Sequence, residues 1–189
     1  MRGMAAQRDT VLLTAEQFLR IEFGPDIKAE LDNGVIRMMA GGTRAHARVQ
    51  ANILAFLSSA LRGSGWRPYG PDLAVRTHGG SVRYPDVSVD CGGHEQDDDK
   101  DKILSDPRVL IEVLSPSTRR EDEGVKLDEY RRLPGVDTIA LIDPEAERIR
   151  VLQRTGPEAW ADRTYGEPAV LALPSLGLSL LHAEIFTRS

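Results

Sequence analysis

Val109-Leu110-Ile111-Glu112-Val113-Leu114 is the stretch on which the fold turns. Five of its six residues are aliphatic, and polar and apolar residues do not alternate. Such a run suits a central strand covered on both faces. Ser115-Pro116-Ser117-Thr118 follows as a cap, and a helix is expected from about Arg120 to Leu133, stopped by Pro134-Gly135. Thr138-Ile139-Ala140-Leu141-Ile142 is a second buried strand, closed by Asp143-Pro144. Strand, helix, strand from 109 to 142 makes a βαβ unit, so the two strands should be parallel neighbours. Arg148 to Gln153 is the natural hairpin partner of the second strand. The tail to Phe186 holds short apolar segments with turns.

Upstream, Thr14-Ala15-Glu16-Gln17 has the pattern of a capping box. It predicts a short helix with Phe18, Leu19 and Ile21 on its apolar side, stopped at Gly24-Pro25. Asn33-Gly34 lies between Ala29–Asp32 and Val35–Met39. Asn-Gly favours a type I′ turn because both central residues need positive φ, so a hairpin is expected there. Val49, Ile53, Phe56, Leu57 and Ala60 recur at spacings of three and four, which predicts a helix over 44–62. Leu73–Val75 and Val82–Val89 read as β runs, with Gly79-Gly80 as the turn between them. His94 to Lys102 is a charged, aspartate-rich loop. The hairpins make the whole sheet mixed, and the fold class is α/β. No repeat or long linker divides the chain, so residues 10–189 are expected to form a single domain behind a disordered tail of residues 1–9.

The 189 residues are 41% hydrophobic and 28% charged but only 5% aromatic, so aliphatic side chains must carry the core. Cys91 is the single cysteine. An intrachain disulfide is therefore excluded, which fits a reducing, cytoplasmic setting. No apolar run approaches the roughly 20 residues that a spanning helix needs, and the amino terminus lacks the apolar core of a secretory signal. A net charge of -5 argues against a dedicated nucleic-acid binder with a broad basic face. It leaves room for an enzyme that meets nucleic acid through bound cations and a local basic patch.

Glu112 is the informative residue. An ionised carboxylate amid that apolar run is costly to bury unless it is compensated. It must lie at an exposed strand end, pair with a cation, or bind a metal. Asp86 follows Pro85 within a β-rich run, a place where proline marks a strand start or an edge. Its plainer explanation is a turn aspartate capping an amide. Taken together, two carboxylates on neighbouring strands could hold a divalent cation. Lys126 and Tyr130, four apart on the intervening helix, share one face, although a lone helical lysine is usually solvated. His46 opens the long helix, where a surface role is the commoner fate. The four histidines show no zinc spacing, and there is no G-x-S-x-G elbow and no P-loop.

Four stretches resemble the Uma-two family, long catalogued as a domain of unknown function within the restriction-endonuclease-like PD-(D/E)XK superfamily. They are Glu30-Leu31-Asp32-Asn33-Gly34; Tyr84-Pro85-Asp86-Val87-Ser88-Val89; Ile111-Glu112-Val113-Leu114-Ser115-Pro116-Ser117; and Lys126 to Tyr130, followed by Gly135-Val136 and Leu141-Ile142-Asp143-Pro144. The resemblance implies a restriction-endonuclease-like fold, a central mixed β-sheet flanked by α-helices. It also implies a metal-dependent endonuclease that hydrolyses DNA, with Mg2+ or Mn2+ as cofactor. Asp86 and Glu112 match the two acidic positions of the superfamily. The Val113 backbone carbonyl would be a third ligand, and Glu30 an upstream addition to the metal shell. The superfamily's lysine, two residues after the glutamate, is replaced here by Leu114. The Uma-two pattern generally has an apolar residue at that point and lysine on the following helix, so Lys126 takes the role. Tyr130 and His46 are supporting candidates. Ile139-Ala140 departs from the family's usual aromatic pair. The alternative expectation is a non-catalytic nucleic-acid- or protein-binding module on the same fold. A sugar hydrolase using the two carboxylates as acid and base is a weaker third. A homodimer would let two sites cut two strands, although nothing in the sequence demands one.

Overall fold

The central strand is β7 (Pro107–Val113), and its side chains sort the molecule into two layers. Val109, Ile111 and Val113 point into one core, while Leu110 joins Leu127 and Tyr130 in another on the opposite face. Both faces are covered, as the unbroken apolar run requires. The computed structural model describes residues 12–25, 27–91, 100–104 and 106–188. The expected amino-terminal tail of residues 1–9 and residues 94–99 of the aspartate-rich loop lie outside the described residues.

β7 is third from one end of a six-stranded sheet ordered β10-β9-β8-β7-β6-β3. These strands are β3 (Trp66–Tyr69), β6 (Val87–Cys91), β8 (Thr138–Asp143), β9 (Arg148–Arg154) and β10 (Trp160–Tyr165). β7 and β8 are parallel, with Glu112 opposite Leu141, and every other pair in this sheet is antiparallel. A second sheet, β2-β1-β5-β4, is built from β1 (Ala29–Asp32), β2 (Val35–Met38), β4 (Val75–Arg76) and β5 (Val82–Arg83). The β1–β2 turn is the expected one: Asn33 has φ 46° and Gly34 φ 85°. β11 (Val170–Leu173) and β12 (Leu178–Leu181) form a separate hairpin.

Helix α1 (Ala15–Leu19) has the predicted capping box on Thr14, and Phe18 packs into the core beneath the smaller sheet. Helix α2 (Arg44–Ala60) lays Val49, Ile53 and Leu57 against the Val109 face of β7. Full burial of such side chains stabilises by roughly 1.5–3 kcal/mol each. The carboxy-terminal helix α5 (His182–Phe186) packs into the same core.

Two elements differ from the sequence expectation. The run 82–89 is not one strand: β5 joins the small sheet and β6 the large one, with Tyr84-Pro85-Asp86 between them. Pro85 has no amide hydrogen to continue a ladder, and the Tyr84 amide donates to a Glu30 carboxylate oxygen at 3.1 Å instead. The helix expected over 120–133 is interrupted. It comprises α3 (Arg119–Glu121), a π-helical turn over Asp122–Lys126, and α4 (Leu127–Arg131). Such turns are rare and occur often at functional sites.

Candidate functional site

Val113 ends β7 beyond the point where β6 begins, since the ladder pairs Val87 with Ile111. Its amide therefore has no strand partner on that side and donates to Asp86 Oδ2 at 2.7 Å. Asp86 stands one residue before β6, held by the turn at Pro85. From the α2 layer, His46 Nε2 approaches the same Oδ2 at 3.2 Å. Gln50, one turn further along α2, donates to the Asp86 carbonyl at 2.9 Å. His46 is therefore packed at the site rather than on an open helix surface.

Glu112 projects to the other layer and is buried. The Tyr130 hydroxyl donates to its Oε1 at 2.7 Å, and Lys126 Nζ lies 3.4 Å from the same oxygen. Lys126 also reaches Glu30 Oε1 at 3.0 Å and Asp122 Oδ1 at 3.2 Å. It is a buried ammonium in a cage of three carboxylates. Glu30 comes from β1, and its second oxygen is held by Arg83 at 3.2 Å. Arg83 is completely buried and also pairs with Asp32, Glu121 and Glu129. The Glu129 contact is two-pronged, at 2.7 and 3.0 Å. It bolts the small sheet to the helical segment that carries Lys126.

Charge is unevenly matched here. Among the described residues, Glu30, Asp32, Asp86, Glu112, Glu121, Asp122 and Glu129 pair with Arg83, Lys126 and His46, with Arg37 reaching Asp32 from the exposed rim at 3.4 Å. Burial pushes the Glu112 carboxyl up to about 8. Lys126 opposes that shift, while Asp122, Asp86 and Glu30 add to it. Burial likewise raises Asp122. Burial works against the charge on Lys126, but Glu112, Glu30 and Asp122 outweigh it and hold the ammonium above its ordinary value. Burial, then Glu112, keeps the Tyr130 hydroxyl protonated, so it is the donor in its bond to Glu112. His46 is raised chiefly by its hydrogen bond to Asp86, with burial opposing.

Residues 15–183 match the Uma2 family, described as "Putative restriction endonuclease". The chain belongs to the Uma2 family. Two relatives are the Synechocystis proteins slr1290 and sll1609, both described as uncharacterised. The first is 27% identical over 88% of this chain and 87% of its own length. The second is 28% identical over 80% of this chain and 86% of its own length. A crystal structure from Anabaena variabilis, described as "a putative nuclease belonging to DUF820", covers 92% of this chain and 97% of its own. Its TM-score is 0.75 at 22% identity, a likeness of fold.

Within this Uma2 chain, Asp86, Glu112, Val113, Lys126, Tyr130, Glu30 and His46 all lie around one end of β7. The sequence reasoning missed Arg83, Asp122 and Gln50. Asp122, Lys126 and Tyr130 are spaced by four, and so are His46 and Gln50; that spacing was the available signal. Arg83 gave none, because an arginine in a β run ordinarily points to solvent. Among the described residues, no three His, Cys, Asp or Glu side chains converge as a group able to hold a metal ion. Tyr130 and Lys126 contact Oε1 of Glu112, and the Val113 amide and His46 contact Oδ2 of Asp86.

Proposed function

We propose that this chain is a metal-dependent endonuclease that hydrolyses DNA phosphodiester bonds with Mg2+ or Mn2+. The observation that carries this reading is the buried surplus of carboxylates at the end of β7, where Glu30, Glu112 and Asp122 share the one ammonium of Lys126. A divalent cation would relieve it, and hard oxygen donors match Mg2+ or Mn2+. Asp86, Glu112 and the Val113 carbonyl are the residues to hold it, with Glu30 behind them. When bound, the ion supplies positive charge against the phosphate and makes water more acidic.

The protein's own groups do the rest. Tyr130 fixes one oxygen of Glu112 and so sets the direction of the other. Lys126 stays protonated and, held by Glu30, Glu112 and Asp122, sets a fixed positive charge beside the Glu112 carboxyl. Arg83 anchors Glu30, which keeps Lys126 in place. Arg119, Arg148 and Arg150 border a pocket with Leu114, Glu123 and Asp143 just past the end of β7, where Arg119 and Arg148 pair with Asp143 and Arg150 pairs with Asp162.

The test is plasmid and single-stranded DNA cleavage by folded protein with Mg2+ or Mn2+. Cleavage is expected, falling at least 100-fold in Asp86→Asn and Glu112→Gln and disappearing in chelator. No cutting of either substrate would overturn the proposal. The closed cage on Lys126 favours one other reading, a binding module without catalysis. That module predicts that Asp86→Ala leaves nucleic-acid binding intact and that no metal is needed.

A further inference from the structure

A cavity of about 680 Å³ opens at the other end of the β7–β8 pair, a size within the range of small-molecule sites. Val109 lies opposite Thr138 and Val113 opposite Ile142, so at about 3.3 Å per residue the two ends are about 13 Å apart. β9 ends on Arg154, and the ladder places it opposite Trp160 at the start of β10. The Arg154 guanidinium lies 4.4 Å from the centre of the Trp160 ring. Its Nε donates to the Val136 carbonyl at 2.8 Å and Nη1 to the Pro157 carbonyl at 2.6 Å, while Nη2 donates to the carbonyls of Leu133 at 2.8 Å and Arg131 at 3.0 Å. Four of the five N–H donors that an arginine carries thus end on backbone oxygens, and among the described residues no carboxylate pairs with it. Arg154 is a planar cation fixed in place with its charge unbalanced. Arg131 and Arg132, at the end of α4, line the same cavity. Arg132 is exposed and forms no ion pair among the described residues. Arg131 reaches Asp128 at 3.5 Å and Asp162 at 3.8 Å, both longer than a good hydrogen bond, and Asp162 is already held by Arg150 at 2.7 and 3.0 Å. The only acid lining the cavity is Glu158.

We propose that this cavity binds a nucleotide, its phosphate on Arg131 and Arg132 and its base against Arg154 and Trp160. The planar forks of arginine match phosphate oxygens two at a time. Flat bases stack on tryptophan rings and on guanidinium planes. Because carbonyls already hold Arg154, little side-chain freedom is lost when a ligand arrives. Glu158 separates a nucleotide from a bare phosphate: it repels the second, whereas a sugar hydroxyl or a base amino group can donate to it. A free mononucleotide and one residue of a single strand share this chemistry. None of the residues assigned to the metal lines this cavity, so binding here does not depend on the nuclease reading.

The test is calorimetric titration of the whole chain, in chelator, with adenosine monophosphate, adenosine, inorganic phosphate and a short single-stranded oligonucleotide. The mononucleotide should bind roughly 10-fold or more tighter than adenosine or phosphate alone, since stacking and a charge-assisted phosphate contact each contribute about that factor. Arg132→Ala should weaken it by roughly 10-fold, and that exposed, unpaired side chain can be removed without harm to the fold. Trp160→Leu should weaken it by a similar factor, and quenching of tryptophan fluorescence by the nucleotide should fall with it. Arg163→Glu, a charge reversal at an exposed position on β10 outside the cavity, should leave binding unchanged. An oligonucleotide that binds through Arg132 when the mononucleotide does not would make the ligand a strand. Binding of neither, mononucleotide binding no tighter than phosphate, or equal losses in Arg132→Ala and Arg163→Glu would overturn the proposal and leave the nuclease reading untouched.

Discussion

Glu112 carries the tension of the site in a single side chain. Its carboxyl shares a face of β7 with Leu110, Leu114 and the opposite Leu141, yet it faces Lys126 and three further acids. In the unfolded chain it should ionise near the ordinary value of 4.5, and in the folded protein only near 8. The sign follows. Below about 4.5 it is protonated in both states, and its favourable contribution to folding is complete. Between 4.5 and 8 the unfolded chain releases the proton while the folded one keeps it, so stability drains away as pH rises. Metal-free protein should therefore lose Tm relative to Glu112→Gln between pH 5 and pH 8. A widening of at least about 3 °C is expected, since 1 kcal/mol moves a domain of this size by roughly 2–4 °C. Curves that stay parallel in chelator would show that Glu112 does not titrate in this range. Asp86 shows the other side of the residue scale. As a sequence signal Pro-Asp is weak, and its weight came from pairing with Glu112; in the structure the link between them is the Val113 backbone.

At the scale of elements, the π turn over Asp122–Lys126 does the positioning. Asp122, Lys126 and Tyr130 all face Glu112, a spread that a regular α-helix would rotate steadily off one line. Deleting Gly124 should convert the turn to a regular helix and swing Lys126 away relative to Asp122. DNA cleavage should fall more than 10-fold while the far-ultraviolet circular dichroism stays near wild type. Unchanged cleavage would mean that the turn is incidental. This turn was invisible in the sequence, because it is set by what the side chains meet in the other layer rather than by local propensity. The same cause split the run 82–89, where Pro85 ends one ladder and Asp86 opens the next. By contrast, β7 and the Asn33-Gly34 hairpin were legible. An unbroken aliphatic run has few other fates, and two adjacent positive φ values need residues of that kind.

Across the whole molecule, elements from both layers converge at one end of β7. α2 brings His46 and Gln50 from one face, while α3, the π turn and α4 bring Lys126 and Tyr130 from the other. The parallel β7–β8 pair and the crossover between them were readable from the strand-helix-strand order, so the position of Glu112 and Lys126 was readable too. The second sheet's contribution was not: Arg83 ties Glu30, Asp32, Glu121 and Glu129 into one network, and only the folded chain brings those four together. No helix among the described residues is long and apolar enough to cross a membrane. On the proposed function, an ion at the convergence point would supply the positive charge that faces the phosphate. The direct measurement is anomalous diffraction from crystals soaked in Mn2+. The account predicts a peak bridging Asp86 and Glu112, beside the Val113 carbonyl. Well-ordered crystals with no peak there, or with a peak only elsewhere, would contradict it.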